Sequence, residues 1–236
     1  MARLNLEKRN LTQREEREAR RRQALRQAII QAAERLLIRS GYAALTMDDV
    51  AREAEISKAT VYHYFRSKGD LVLELFVYYF EKFYRNIFRI RSEAKSAKEK
   101  LKEVITYFLR VSREKETISR VLMVDKFFLK KMRILAGETN RSSKREKDLL
   151  AEIKKQREKI IEEASRIIEE GMARGEFRSI DKLLATRLIE ALLQGLVHSR
   201  FWNPSRFSLE KETEILLEFI LLGIGQKNEE VKGACP

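Results

Sequence analysis

The sequence predicts an all-α fold: an N-terminal three-helix helix-turn-helix domain followed by a larger helical domain. Three observations carry this expectation. Two prolines and nine glycines in 236 residues are too few for the many turns of a strand-rich chain. Apolar residues recur at helical spacing along most of the chain, and no alternating stretch of useful length occurs. Ser, Thr and Asp stand where several of those stripes begin, as N-cap residues do.

Residues 1–21 are polar and rich in Arg and Glu. Glu16 with Arg20 and Glu18 with Arg22 lie four apart, the spacing of helix-stabilising ion pairs. Two readings of this basic arm stand side by side: a segment that tracks phosphates or enters a minor groove, and a solvated, self-paired extension. From Leu25 a stripe runs through Ala28, Ile29, Ala32, Ala33, Leu36 and Leu37, and Gly41 ends it as a C-terminal glycine does. Thr46, with Asp49 three residues on, forms a capping box for a short helix that buries Met47, Val50, Ala51 and Ala54. After about three connecting residues Ser57 caps a second short helix, 58–64. Ser67 with Asp70 opens a longer helix through Leu71, Leu75, Phe76, Tyr79, Phe80 and Phe83. Further helices are predicted over 98–114, 116–134, 143–173, 180–202 and 208–225, punctuated by Gly137, Gly175 and Asn203-Pro204. Gly171 is a candidate to shorten the long one. The domains expected are the arm 1–21, the helix-turn-helix 22–70 and a larger helical domain 71–236.

Two short helices joined by a tight turn behind a supporting helix make a helix-turn-helix, whose second helix lies in the major groove with its N-terminal residues at the base edges. Those residues are Ser57, Lys58, Ala59 and Thr60. Lys58 can donate to guanine O6 or N7, and Ala59 can approach a thymine methyl. Thr60, Tyr62 and His63 offer donors toward phosphate, Lys68 supplies a cation, and Val61 and Phe65, four apart, face the core.

The stretch Leu25–Leu75 resembles the DNA-binding domain of the TetR/AcrR family of regulators. The resemblance rests on Ala32-Ala33, Leu36, Gly41-Tyr42, the run Leu45 to Ala51 and the run Ile56 to Lys68. It implies that Lys58 and Ala59 read bases, and that Thr46, Thr60, Tyr62, His63, Tyr64 and Lys68 grip phosphates. Two positions depart from the family pattern. Glu55 stands in the turn where Gly is frequent, and a left-handed conformation there costs Glu roughly 1 kcal/mol more. Ala59 stands where Gly is also frequent, which limits how closely that backbone approaches DNA. Beyond residue 75 the resemblance is one of layout, joined by Glu170 to Phe177, a stretch similar to one found before the family's last two helices.

The last two helices carry apolar residues on more than one face: Leu183, Leu184, Leu188, Ile189, Leu192, Leu193, Leu196 and Val197, then Ile215 to Leu217 and Phe219 to Leu222. A helix apolar on two faces needs two partners. Two such helices from each of two subunits form a four-helix bundle about a two-fold axis, and a homodimer through 180–202 and 208–225 reads a near-palindromic operator. The alternative is the ordinary core of a monomer. The family resemblance implies a pocket for a small-molecule effector. Candidate lining residues are Tyr107, Phe108, Met123, Phe127, Phe128, Met132, His198 and Trp202, although such a stripe is more often plain core. Residues 130–159 hold 11 Lys/Arg against 5 Asp/Glu, which suits an anionic effector or a solvated helix face.

Composition excludes several classes. The net charge of +13 favours polyanionic partners, but residues 1–70 carry only five of that excess, so charge does not locate a binding face. A lone Cys235 supports neither an internal disulfide nor a thiolate metal site. No segment reads as a signal peptide, and the most apolar stretch, Ile215 to Gly225, is interrupted by Glu218 and too short to span a membrane; a cytoplasmic protein without a membrane partner is expected. His63 and His198 lie 135 residues apart in sequence with no Cys or His cluster around either, so no metal or other cofactor is expected. No nucleophile with its base is evident, which argues against an enzyme. The expected function is a DNA-binding transcriptional regulator, a homodimeric repressor released from double-stranded operator DNA by a small molecule. The helix beginning near Ser67 would couple the two domains. The competing reading is a regulator or architectural DNA binder without a small-molecule ligand.

Overall fold

The computed structural model of the protein describes residues 2–123, 143–204 and 206–224. The regular elements among them are α-helices: α1 (Ala2–Ala44), α2 (Met47–Glu53), α3 (Lys58–Tyr64), α4 (Lys68–Arg91), α5 (Ala97–Glu114), α6 (Glu116–Met123), α7 (Lys144–Ala173), α8 (Lys182–Arg200) and α9 (Leu209–Ile224). None of the described helices is long and apolar enough to cross a membrane. The chain divides into two compact units, Met1–Phe76 and Val77–Pro236. The division falls inside α4.

In the first unit, α1 takes in most of the basic arm, and Glu16–Arg20 (3.7 Å) and Glu18–Arg22 (3.6 Å) form the expected i,i+4 pairs. Ile29, Ala32, Ala33, Leu36 and Leu37 are buried as the stripe predicts. Helical geometry breaks at Gly41 (φ 74°, ψ 173°), a conformation open only to glycine. α2 packs against both α1 and α3, burying Met47, Val50 and Ala51. Ala54 is only half-buried, because it is the C-cap of α2 and lies past its last turn. Val61 of α3 and Phe65 behind it are fully buried. Arg35 donates to Glu53 (2.6 Å), tying α1 to the end of α2 and lowering the Glu53 pKa. Every residue from Leu71 to Phe76 is buried. Glu74 among them pairs with Arg26 of α1, whose guanidinium lies 5.7 Å from the centre of the Phe65 ring.

In the second unit α5 packs against α6, α7, α8 and α9. Its buried Leu101, Val104, Ile105 and Leu109 share a core with Ile167 and Ile168 of α7, Leu193 of α8 and Leu216 and Ile220 of α9. The helix ends fall within two residues of the predicted ones. The predicted 116–134 helix is described through Met123; its remainder, with Gly137 and Cys235, lies outside the described residues.

Gly171 does not shorten α7. It sits within that helix, where the Phe177 ring occupies the space a side chain would need: an added Cβ would fall 2.1 Å from Phe177 Cδ2. The chain then leaves α7 through Gly175 (φ 70°), with Glu176 N–H donating to Gly171 O (2.8 Å) and Gly175 N–H to Met172 O (3.1 Å), the double bond pattern of a Schellman C-cap. This turn delivers the Glu176 carboxylate to the start of α5, where it accepts from the N–H groups of Ala97 (3.1 Å) and Lys98 (3.0 Å). The Glu170–Phe177 stretch is therefore a structural joint between α7 and α5.

α8 and α9 each have two apolar faces. α9 buries Leu216, Ile220 and Ile224 but exposes Ile215, Phe219 (64%) and Leu222 (79%), while α8 buries Leu193 and Val197 but exposes Leu183, Leu184 and Leu188 (59%).

Candidate functional site

The first candidate site is built at the starts of α2 and α3. Thr46 caps α2 by accepting from Asp49 N–H (3.1 Å), but the reciprocal arm of the predicted capping box is replaced. The Thr46 hydroxyl donates to the Asp49 carboxylate (2.6 Å) instead. Ser57 caps α3 by accepting from Thr60 N–H (3.0 Å), and its hydroxyl also bonds the Thr60 hydroxyl (2.8 Å). Between the helices Glu55 adopts φ 56°. Glu55 N–H donates to Arg52 O (3.2 Å) and Ile56 N–H to Ala51 O (3.0 Å), so α2 closes with the same Schellman pattern that Gly175 supports.

This turn leaves Ser57, Lys58 and Ala59 exposed at the start of α3, with Tyr62 and His63 exposed one turn later. Lys58 is not a bare cation. Its ammonium donates to both oxygens of Asp48 in the first turn of α2 (2.8 and 2.9 Å), bringing the two helix starts together. The hydrogen bond it donates to Asp48, reinforced by the carboxylate's charge, raises the Lys58 pKa. His63 and Tyr64 pack edge to face at 5.4 Å. Lys68 stands differently from a free phosphate clamp. Its ammonium donates to the carbonyls of Tyr42 (3.0 Å) and Ala43 (3.3 Å) and lies 4.5 Å from the centre of the Tyr42 ring. It thereby ties the start of α4 to carbonyls in the last turn of α1.

The second candidate site is a cavity of about 870 Å³ within the second unit, inside the range of small-molecule pockets. Phe80 and Phe83 of α4, Leu101 and Phe108 of α5, Ile118 of α6 and Ile161 of α7 give it an apolar body. One part of its wall is polar: Arg157 of α7 donates twice to Glu190 of α8 (3.0 and 2.7 Å), Gln194 donates to Glu190 as well (3.0 Å), and Lys154 and His198 also line the space.

Of the pocket residues expected from sequence, Phe108 and His198 line the cavity. Tyr107 is not among its lining residues; its hydroxyl accepts from Asn86 (3.0 Å), and burial raises its pKa. Trp202 is 73% exposed and likewise does not line it, because it lies beyond the end of α8. Phe127, Phe128, Met132 and the side chain of Met123 lie outside the described residues. Sequence reasoning missed Asp48, Arg157 and Glu190. The Arg157–Glu190 pair joins residues 33 apart, which leaves no periodic trace. Phe80 and Phe83 were visible, but only as a core stripe.

Residues 29–75, the stretch that folds as the C-terminal part of α1, α2, α3 and the start of α4, match the model of the tetR family of bacterial regulatory proteins. The chain carries a tetR-type domain over this stretch. With that domain it is a DNA-binding transcriptional regulator rather than an enzyme. The fatty acid metabolism regulator protein of Bacillus subtilis (strain 168) is 25% identical over 207 residues, covering 84% of this chain and 95% of that protein. An uncharacterized helix-turn-helix regulator of the same organism, YuxN, is 32% identical over 78 residues, 33% of this chain and 27% of that protein. In fold, the chain is similar to the transcriptional regulator FadR of Bacillus subtilis, solved in complex with stearoyl-CoA. That likeness has a TM-score of 0.66 at 22% identity, over 84% of this chain and 98% of that one. The match to the tetR family model accounts for the first site; the cavity belongs to the unit that the family model does not match.

Proposed function

We propose that this TetR-family regulator is a homodimeric repressor of a near-palindromic operator, released when a small molecule fills the cavity of its second unit. On this reading α3 enters the major groove, with Lys58 and Ala59 at base edges and Ser57 at the start of the helix. Thr46, Thr60, Tyr62, His63 and Tyr64 face the phosphates. Lys68 contributes there while remaining anchored to the end of α1. The exposed apolar faces of α8 and α9 meet their copies in a second subunit, since six large apolar side chains in water on two neighbouring helices are costly to leave uncovered.

The observation that carries the effector reading is the cavity: about 870 Å³, apolar in body, with Lys154 beside the Arg157–Glu190 pair in its wall. An elongated apolar molecule with an anionic end fits that division, and the stearoyl-CoA bound by the FadR of similar fold belongs to this class. Release requires the effector to bind the DNA-competent and DNA-incompetent conformations with different affinity.

The test begins with duplexes selected by the protein from a random pool. Stearoyl-CoA is then titrated against the preformed complex and followed by fluorescence anisotropy. Release of the selected duplex is expected, with a weaker response in Phe108→Trp, which fills part of the cavity. Undiminished operator affinity at saturating stearoyl-CoA would remove that effector class.

A further inference from the structure

We propose that Asp48 is a specificity-determining residue: it withholds the Lys58 ammonium from phosphate while leaving it able to donate to a base edge. The inference rests on the reading that α3 enters the major groove. Both side chains of the pair remain more than half exposed, 58% for Lys58 and 56% for Asp48, so it stands at the surface and rearranges without unpacking the core. Asp49 does not duplicate it, because that carboxylate accepts from the Thr46 hydroxyl and pairs with Arg52 at 3.1 Å.

The consequence follows from what each kind of DNA contact needs. Binding to arbitrary duplex is driven by cations that neutralise phosphates and release counterions. A Lys58–Asp48 pair has no net charge, so it releases few counterions, and its carboxylate repels the phosphates. Guanine O6 and N7 are neutral acceptors that need donors rather than net charge. The ammonium has three donors; one remains on Asp48 while two reach the base. Asp48 therefore suppresses nonspecific binding more than specific binding, and the ratio between them rises.

The experiment compares wild type, Asp48→Asn, Lys58→Ala and the double variant. Each is titrated across a salt series with its selected duplex and with an arbitrary duplex of equal length. Asp48→Asn is expected to tighten the arbitrary duplex several-fold near 0.1 M salt and to steepen its salt slope by roughly 0.9 for each lysine freed. The selected duplex should change less, so the specificity ratio falls. In the Lys58→Ala background the Asp48→Asn effect should largely disappear. If Asp48→Asn tightens both duplexes equally, or keeps its full effect without Lys58, Asp48 is only a local negative charge and the proposal fails. If Lys58→Ala itself changes neither affinity nor preference, the placement of α3 is wrong and the proposal falls with it. The single variants thus separate the two failures.

Discussion

Glu55 and Gly175 occupy the same position in the same motif, one with a side chain and one without. Both follow a helix C-cap, both have positive φ (56° and 70°), and both sit in a double-bonded Schellman turn. The motif favours glycine because a Cβ crowds the neighbouring carbonyl oxygen in the left-handed region. Nothing lies within 4 Å of a Cβ built on Gly175, so the cost of a side chain there is one of backbone conformation alone. Gly175→Ala is therefore expected to destabilise by about 1 kcal/mol. Glu55→Gly should stabilise the first unit by somewhat less, because glycine also adds entropy to the unfolded chain. Opposite shifts in the urea midpoint of the two variants are the expected result; a fall in both would show that Glu55 is held by contacts that outweigh its strain. The position was legible in the sequence, since a turn that usually takes glycine held glutamate. The Lys58–Asp48 pair was not. It bridges residues ten apart across a turn, and a periodicity that runs along one helix carries no information about which charges meet between two.

At the scale of elements, helical stripes and caps were enough to find most of the described helices, because several boundaries are set by local chemistry: a hydroxyl or carboxylate at the N-cap, a left-handed residue after the C-cap. What they could not show is how one element's end finishes another. The N-terminus of α5 carries a full capping box, Ser96 with Glu99, and two of its free N–H groups are taken by Glu176 from the far end of α7. Hydrogen bonds from Ser96 lower the Glu99 pKa below its usual 4.5. A carboxyl lowered in the folded state adds stability that is fully present above its unfolded pKa and lost as pH falls through the folded one. Glu99→Gln should accordingly flatten the loss of stability below pH 4.5 relative to wild type in thermal melts; an identical acid limb would remove the carboxylate from the cap. Gly171 supplies a test of sign. Gly→Ala inside a helix ordinarily stabilises by about 0.5–1 kcal/mol. Here the new methyl would meet the buried Phe177 ring, so Gly171→Ala should destabilise by roughly 1–3 kcal/mol, the usual cost of overpacking. A stabilised variant would mean that the ring shifts freely. The cavity escaped the sequence for a related reason. The same Phe and Ile spacing describes a filled core and a hollow one, and only the distance between helices separates them.

For the whole molecule, the proposed dimer rests on the second apolar face of α9. Leu216, Ile220 and Ile224 are buried within the chain, and Ile215, Phe219 and Leu222 stand in water on the other side of the same helix. If that face pairs with its copy, two α3 helices become linked, and the second half-site is bound at the effective concentration set by the linkage rather than from bulk solution. Phe219→Glu combined with Leu222→Glu places charge on the exposed face without touching the buried one, so each subunit should keep its helical content by circular dichroism. In sedimentation the double variant is expected to run as a monomer. Affinity for the selected duplex should fall by about 10²–10⁴-fold, while affinity for arbitrary duplex, which rests on separate phosphate contacts, should fall far less. A variant that remains dimeric would move the interface elsewhere. One that becomes monomeric yet holds the selected duplex as tightly as wild type would show that a single α3 suffices, and with it that the operator need not be palindromic.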